Sequence, residues 1–205
     1  MATYKTVVAS VGVVALGVVI LLVLTRNFTA YTTEGLRRNS IETTHPSVPA
    51  VELETQNGER ITLDTLRGKW LLVDFIYTRC MTYCLQLGAE FGELQKTLEQ
   101  PIADGKVRLV SISFDPAIDT PSQLRAYQQR FGVEGQGWIV TRPTHIADLP
   151  PVLSAFGVAV IPDQYGGFIH NTGIVVVNPS GRMVAVLDQG NPHAVASALR
   201  KLADL

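Results

Sequence analysis

Cys80 and Cys84 are the only cysteines in the chain, and they stand four positions apart in Cys80-Met81-Thr82-Tyr83-Cys84. The apolar run Trp70-Leu71-Leu72-Val73-Asp74-Phe75-Ile76-Tyr77 precedes them and reads as a buried strand, while residues 84–100 read as a helix. Two thiols at a strand-to-helix junction either bind a soft metal ion or close into a disulfide. If both lie in the first helical turn, i and i+4 share a face, with Cβ atoms roughly 5–6 Å apart. A disulfide wants about 4 Å, a small adjustment away, and the same spacing lets two thiolates converge on one ion. The positive end of the helix dipole should lower the thiol pKa and favour the thiolate. The bland alternative is a pair of buried cysteines serving as small hydrophobes, which explains an isolated pair at this junction poorly.

The elements that must position this pair emerge from periodicity. Residues 6–25 carry no charge; at about 1.5 Å per residue they span roughly 30 Å, the hydrocarbon thickness of a bilayer. The run is longer than the core of a usual signal peptide and lacks a clear small-residue cleavage site after it. Residues 1–25 are therefore expected to be an uncleaved membrane anchor in contact with lipid. Lys5 lies on one side of it and Arg26, Arg37 and Arg38 on the other, so charge alone does not orient it. A lone anchor ahead of a soluble thiol domain gives the expectation of a domain on the periplasmic, or equivalent exported, side, where disulfides persist. Residues 26–49 are polar and Thr-rich, with Pro46 and Pro49, and read as a flexible tether. Residues 50–205 suffice for one domain. The formal net charge of −1 leaves nucleic acid without an electrostatic footprint.

Within that domain, Gln56-Asn57-Gly58-Glu59 signals a hairpin between residues 51–55 and 60–63. Residues 69–77 and 107–114 read as buried strands. Leu87, Phe91, Leu94 and Leu98 mark the buried stripe of the intervening helix. Thr120-Pro121-Ser122-Gln123 predicts a capping box opening a helix to about residue 131. A short strand at 138–141, a helix at 145–156 broken near Pro150-Pro151, a hairpin of 168–178 with 182–187, and an amphipathic helix at 192–202 complete the chain. This order is that of an α/β, thioredoxin-like central sheet flanked by helices and preceded by one transmembrane helix. A general doubly wound sheet is the alternative. The cysteines fall at the end of the first central strand.

Three stretches resemble the SCO/SenC family. Asp74-Phe75-Ile76-Tyr77-Thr78-Arg79-Cys80-Met81-Thr82-Tyr83-Cys84 is similar to its copper-site segment, and Ser111-Ile112-Ser113-Phe114-Asp115-Pro116-Ala117-Ile118-Asp119-Thr120-Pro121 to its second signature. Residues 167–182, with His170 and Asn178-Pro179-Ser180-Gly181-Arg182, resemble the third. The resemblance implies a thioredoxin-like, membrane-anchored copper protein that helps assemble the copper centre of cytochrome c oxidase. It makes Cys80, Cys84 and His170 the ligands of Cu(I) or Cu(II). The expected partner is the copper-bearing oxidase subunit or another copper protein. Two positions depart from the family pattern. Met81 stands where proline usually follows the first cysteine, and Ile169 where a carboxylate commonly precedes the histidine. The first bears on loop rigidity and redox potential, the second on imidazole orientation.

The donor types agree with copper on their own chemistry. Thiolates favour Cu(I), and two sulfurs with one nitrogen accommodate Cu(II). Structural zinc wants four ligands, and no fourth stands at motif spacing. A lone histidine beside apolar residues is more often a structural hydrogen-bonder; for His170 it is the resemblance that makes it a ligand. His45, His145 and His193 read as tether, helix-start or surface residues. Met81 and Met183 offer thioethers, with packing as the simpler reading. Asp74 within its apolar strand reads equally as a proton relay or a satisfied structural carboxylate, and Asp115 and Asp119 as turn and cap residues. Two functions remain: copper delivery, or an enzyme, a thiol-disulfide oxidoreductase using Cys80 and Cys84 to reduce a client's cysteine pair. The three residues between the cysteines, where thioredoxin-type pairs have two, count against the second.

Overall fold

A computed structural model describes residues 2–24, 32–80, 83–132 and 137–205. Helix α1 (Ala2–Leu24) is long and apolar enough to cross a membrane over Thr3–Leu24, and none of that span is buried in the rest of the protein. Thr25, the last residue of the expected anchor, lies outside the described residues.

The remaining elements are α2 (Thr33–Thr44), β1 (Glu52–Thr55), β2 (Arg60–Thr62), β3 (Trp70–Ile76), α3 (Tyr83–Thr97), α4 (Glu99–Ala103), β4 (Val107–Ser113), α5 (Pro121–Gln129), β5 (Trp138–Pro143), α6 (Leu149–Phe156), β6 (Val160–Pro162), β7 (Phe168–His170), β8 (Ile174–Val177), β9 (Met183–Leu187) and α7 (Pro192–Ala203). Among the described residues the strands form a seven-stranded sheet, ordered β2-β1-β5-β4-β3-β8-β9, and a separate pair, β6-β7. Strands β3, β4 and β5 are parallel, and β8 returns antiparallel to β3 with Val175 opposite Val73. The thioredoxin-like sheet expected from element order is therefore present.

The central strands are apolar almost throughout because helices cover the sheet. All four residues of β8 are buried, as are six of the seven in β3. Helix α3 turns Cys84, Leu87, Phe91 and Leu94 inward. Gly88 permits a close approach on that helix: a Cβ there would collide with the Phe131 ring. Phe91, Tyr127, Phe131 and Trp138 fill this layer with tilted and edge-on ring contacts.

Three sequence expectations need correction. The 26–49 tether is structured from Thr33 onward: α2 packs along β9, burying Ile41, and Ser47 bridges to Arg182. Its few apolar residues conceal this, because charged and backbone groups hold much of it in place. The single strand expected at 168–178 is two. Gly173, at φ 134, turns the chain between them, in a region that favours glycine. The capping box at Thr120 does not form; its hydroxyl bonds Ser122 Oγ at 2.9 Å and Gln123 Oε1 at 3.1 Å, with no backbone N–H accepted.

Candidate metal centre

Strand β3 ends at Ile76 and hands the chain to residues 77–80 at the C-terminal edge of the parallel strands. Pairing with β4 continues past the strand, Phe114 N–H donating to Ile76 O at 2.9 Å. Asp119, fully buried, fixes the chain just beyond the strand. Its carboxylate accepts from Thr78 N–H at 3.0 Å, Thr78 Oγ1 at 2.6 Å and Ser113 Oγ at 2.5 Å. Burial raises its pKa, and these donors oppose the shift. Arg79 Nη2 reaches Asp115 Oδ2 at 2.8 Å. Sequence reading took both aspartates for turn and cap residues. They also clamp the two residues that precede Cys80. Their only sequence signal is a pair of acids four apart within the second signature.

Both cysteines are buried and no disulfide joins them. Cys84 N–H donates to Cys80 Sγ at 3.4 Å, so the helix start serves the Cys80 sulfur. Cys84 itself is pushed well above the usual thiol range, first by its hydrogen bond to Cys80 and then by burial. This corrects the expectation that the helix dipole would lower it, since the hydrogen bond to Cys80 and burial together outweigh the dipole. Tyr127 Oη donates to Cys84 O at 2.6 Å, pinning the second thiol's backbone from α5. Met81 and Thr82 lie outside the described residues.

Asp74 lies in β3 with neither carboxylate oxygen in a hydrogen bond of good geometry. Burial lifts its pKa to about 7, the neighbouring Ser111 side chain offsetting this only in part. Ser111 Oγ already accepts from Trp138 Nε1 at 2.9 Å. The satisfied structural carboxylate is thus not what the fold contains.

His170 arrives on the opposite arm. Because β8 begins alongside the end of β3, the residues just before it reach the same sheet edge as Cys80. The ring packs against Phe114 with centroids 4.9 Å apart. Its Nδ1 lies 3.0 Å from Asn171 O, which places the ring proton on Nδ1 and leaves a lone pair on Nε2. That Nε2 is buried and has no hydrogen-bond partner among the described residues. Tyr77 links the two arms. Its hydroxyl hydrogen-bonds with Cys80 and accepts from Phe168 N–H at 3.4 Å. Its ring stacks edge-on against Phe168 and lies tilted against Phe114. Sequence reading missed Tyr77 and Phe114, although both lie inside the family-like motifs.

Among the described residues no three His, Cys, Asp or Glu side chains stand close enough to enclose an ion. The thiols and the imidazole are neighbours through Tyr77 and Phe114, not a closed set. The donor chemistry nevertheless fits a soft ion: one sulfur in the loop before α3 and one in its first turn, with the Cys84 N–H on the Cys80 sulfur, and a buried imidazole nitrogen whose lone pair no described residue uses. The other histidines are elsewhere: His45 at the end of α2, His145 before α6 and His193 in α7, all exposed. Met183 is core in β9.

Fold and site together define a thioredoxin-like protein with a buried thiol pair and an imidazole at one sheet edge. The SCO1/SenC family model matches residues 41–204, and the chain belongs to that family. It is 29% identical over 133 residues to the SCO1 protein homolog of Bacillus subtilis, covering 64% of this chain and 68% of that one. Among solved structures it resembles a SCO1/SenC family lipoprotein from Bacillus anthracis, with TM-score 0.69 and 23% identity, over 78% of this chain and 96% of that one. It also resembles Bradyrhizobium japonicum ScoI with copper bound, with TM-score 0.65 and 26% identity, over 76% and 98%.

Proposed function

We propose that this chain is a membrane-anchored copper-binding protein whose cargo ion is held by Cys80, Cys84 and His170. It delivers that copper to, or prepares, the copper centre of cytochrome c oxidase during assembly. The observation that carries the reading is the buried His170 Nε2 without a partner among the described residues, since a buried polar atom left unsatisfied is costly unless a ligand is meant to satisfy it. The copper-bound state of the 26% identical ScoI supports the choice of ion, and family membership supports the oxidase as client. Two thiolates suit Cu(I); the imidazole adds the nitrogen that Cu(II) prefers. Cys80 and Cys84 bind, Asp119 and Tyr127 orient them, and Asn171 O fixes the imidazole tautomer. Residues 1–25 anchor the protein, and the domain from 50 onward, with α2 of the 26–49 connector packed against its β9, lies on the exported side. In the thiol-disulfide oxidoreductase alternative, the unused Nε2 has no task.

The test is copper titration of the reduced full chain, then transfer to an apo copper-site acceptor. His170→Ala should weaken Cu(II) binding more than Cu(I), because two thiolates alone hold Cu(I). Unchanged Cu(II) spectra and affinity would exclude this ligand set. Transfer that persists in Cys80→Ala would exclude delivery from this site.

A further inference from the structure

We infer that the His170 end of the domain faces the bilayer, and that the β6–β7 hairpin carrying His170 docks its open apolar face on the lipid surface. This rests on the reading of α1 as an uncleaved anchor. The geometry begins where the chain enters the domain. Helix α2 starts at the metal-site end: Asn171 Nδ2, one residue past His170, donates to Glu34 Oε2 at 3.0 Å. In the next positions Arg37 Nε donates to Phe156 O at 2.8 Å, and Arg38 Nη2 meets Asp188 Oδ1 at 2.7 Å. The helix finishes at the far end, where Arg182 Nη1 donates to His45 O at 3.0 Å and Met183 N–H to Pro46 O at 2.9 Å. Since Ile174 pairs with Leu187 and Val177 with Met183, these contacts fix the direction of α2 along β9.

Only residues 25–32 separate Leu24, the end of α1, from Thr33, the start of α2. Whatever their path, eight residues reach at most about 30 Å. A domain of this length is about 40 Å across. The attachment point, and the site beside it, is therefore the membrane-proximal end.

That end displays an apolar surface without a partner among the described residues. Ile161 and Ile169 are cross-strand partners, so their side chains share one face; they are 60% and 66% exposed, and Tyr165 in the connecting turn is 87% exposed. Between Val160 and Phe168 the only charged residue is Asp163. Its carboxylate is turned onto its own backbone, accepting from Tyr165 N–H and Gly167 N–H at 2.8 Å each. An aromatic ring flanked by aliphatic side chains, with little exposed charge, suits the headgroup boundary of a bilayer. His170 lies at the base of the hairpin and Tyr165 at its tip, so docking sets the metal site just above the lipid. A partner exchanging metal there approaches along the membrane surface.

The full chain in nanodiscs tests this, with phosphatidylcholine brominated in its acyl chains as quencher. Tyr165→Trp reports the hairpin tip, and Leu202→Trp reports the far end of α7. Native Trp70 and Trp138 begin strands at the far end and give both variants the same background. The added emission of Tyr165→Trp should be quenched severalfold more than that of Leu202→Trp, and the difference should vanish when Ile161→Glu and Ile169→Glu are added. If Tyr165→Trp is quenched no more than Leu202→Trp while the chain stays with the nanodisc, the docking is overturned, the anchor stands, and the apolar face belongs to a protein partner. A chain that does not stay with the nanodisc overturns both.

Discussion

The two arms of the site are built to different standards. The thiol arm hangs from the centre of the main sheet. Thr78 is tied twice to a fully buried carboxylate, Cys80 and Cys84 are linked by an N–H to sulfur contact, and α5 grips the Cys84 carbonyl. The imidazole arm belongs to a separate two-stranded sheet, with three residues in each strand. It is held at its base by Asn171, which bonds Ala159 N, Gly157 O and Glu34, and by Tyr77 from below. The thiol half is tied into the main sheet; the imidazole half rests on a small separate sheet. On the proposed delivery function, such asymmetry suits a site that accepts an ion and later gives it up, with the thiols keeping the ion's place.

The largest effect is expected from breaking the thiol arm. Asp119→Ala leaves the Thr78 N–H, the Thr78 hydroxyl and the Ser113 hydroxyl without their buried acceptor, a loss of about 3–5 kcal/mol in unfolding free energy. Denaturant unfolding measures it. Asp119→Asn keeps one acceptor oxygen and should lose distinctly less. If Asp119→Ala unfolds at the same denaturant concentration as the native chain, the clamp does not hold this arm.

The same arm also carries a cost, and removing it should act in the opposite direction. Asp74 titrates near 7 in the folded chain against an ordinary 3.8, so the folded state holds a proton that the unfolded state has released. Its contribution to stability is present in full below 3.8, the unfolded value, and is lost as pH rises to about 7. Above that the buried charge costs at most about 4 kcal/mol. Asp74→Asn should therefore gain thermal stability over the native chain progressively across that window and hold a constant lead above it. A difference that does not change between acid and neutral pH would show that Asp74 is not the titrating group.

How much of this was legible in the sequence divides along the same line. The thiol arm was: β3 and α3 declare themselves by apolar runs and a helical stripe, and a lone cysteine pair at their junction is hard to miss. His170 was legible only through resemblance, because one histidine in an apolar run has no distinguishing local pattern. What holds either arm was not legible. Asp119 acts on Thr78 across 41 positions, and Glu34 on Asn171 across 137; periodicity sees neither. Helix α2 was read as tether because its packing depends on charged and backbone groups more than on an apolar stripe. Asp74 was read as a relay or a satisfied carboxylate, and only the packing around it reveals that its oxygens lack partners.

The smallest effect is expected from loosening the imidazole arm without touching its ligand. Arg37 is nearly buried, with 7% of its side chain exposed, and burial lowers its pKa against the pull of Glu34. It caps the end of α6 through Phe156 O, holds Glu34 at 2.9 Å, and lies over Gly157, where a Cβ would meet its Cγ at 3.0 Å. Arg37→Ala should cost about 1–2 kcal/mol in global stability. Its informative effect is local: Glu34 loses one of its two arginine partners, so its grip on Asn171 weakens and amide exchange should rise across residues 168–173 while the amides of β3 and α3 keep their protection. Copper binding should split in the same way. Cu(II) affinity falls, by less than in His170→Ala, and Cu(I) affinity stays. If exchange rises equally in both arms, the imidazole arm has no independent freedom and the two halves of the site move as one body.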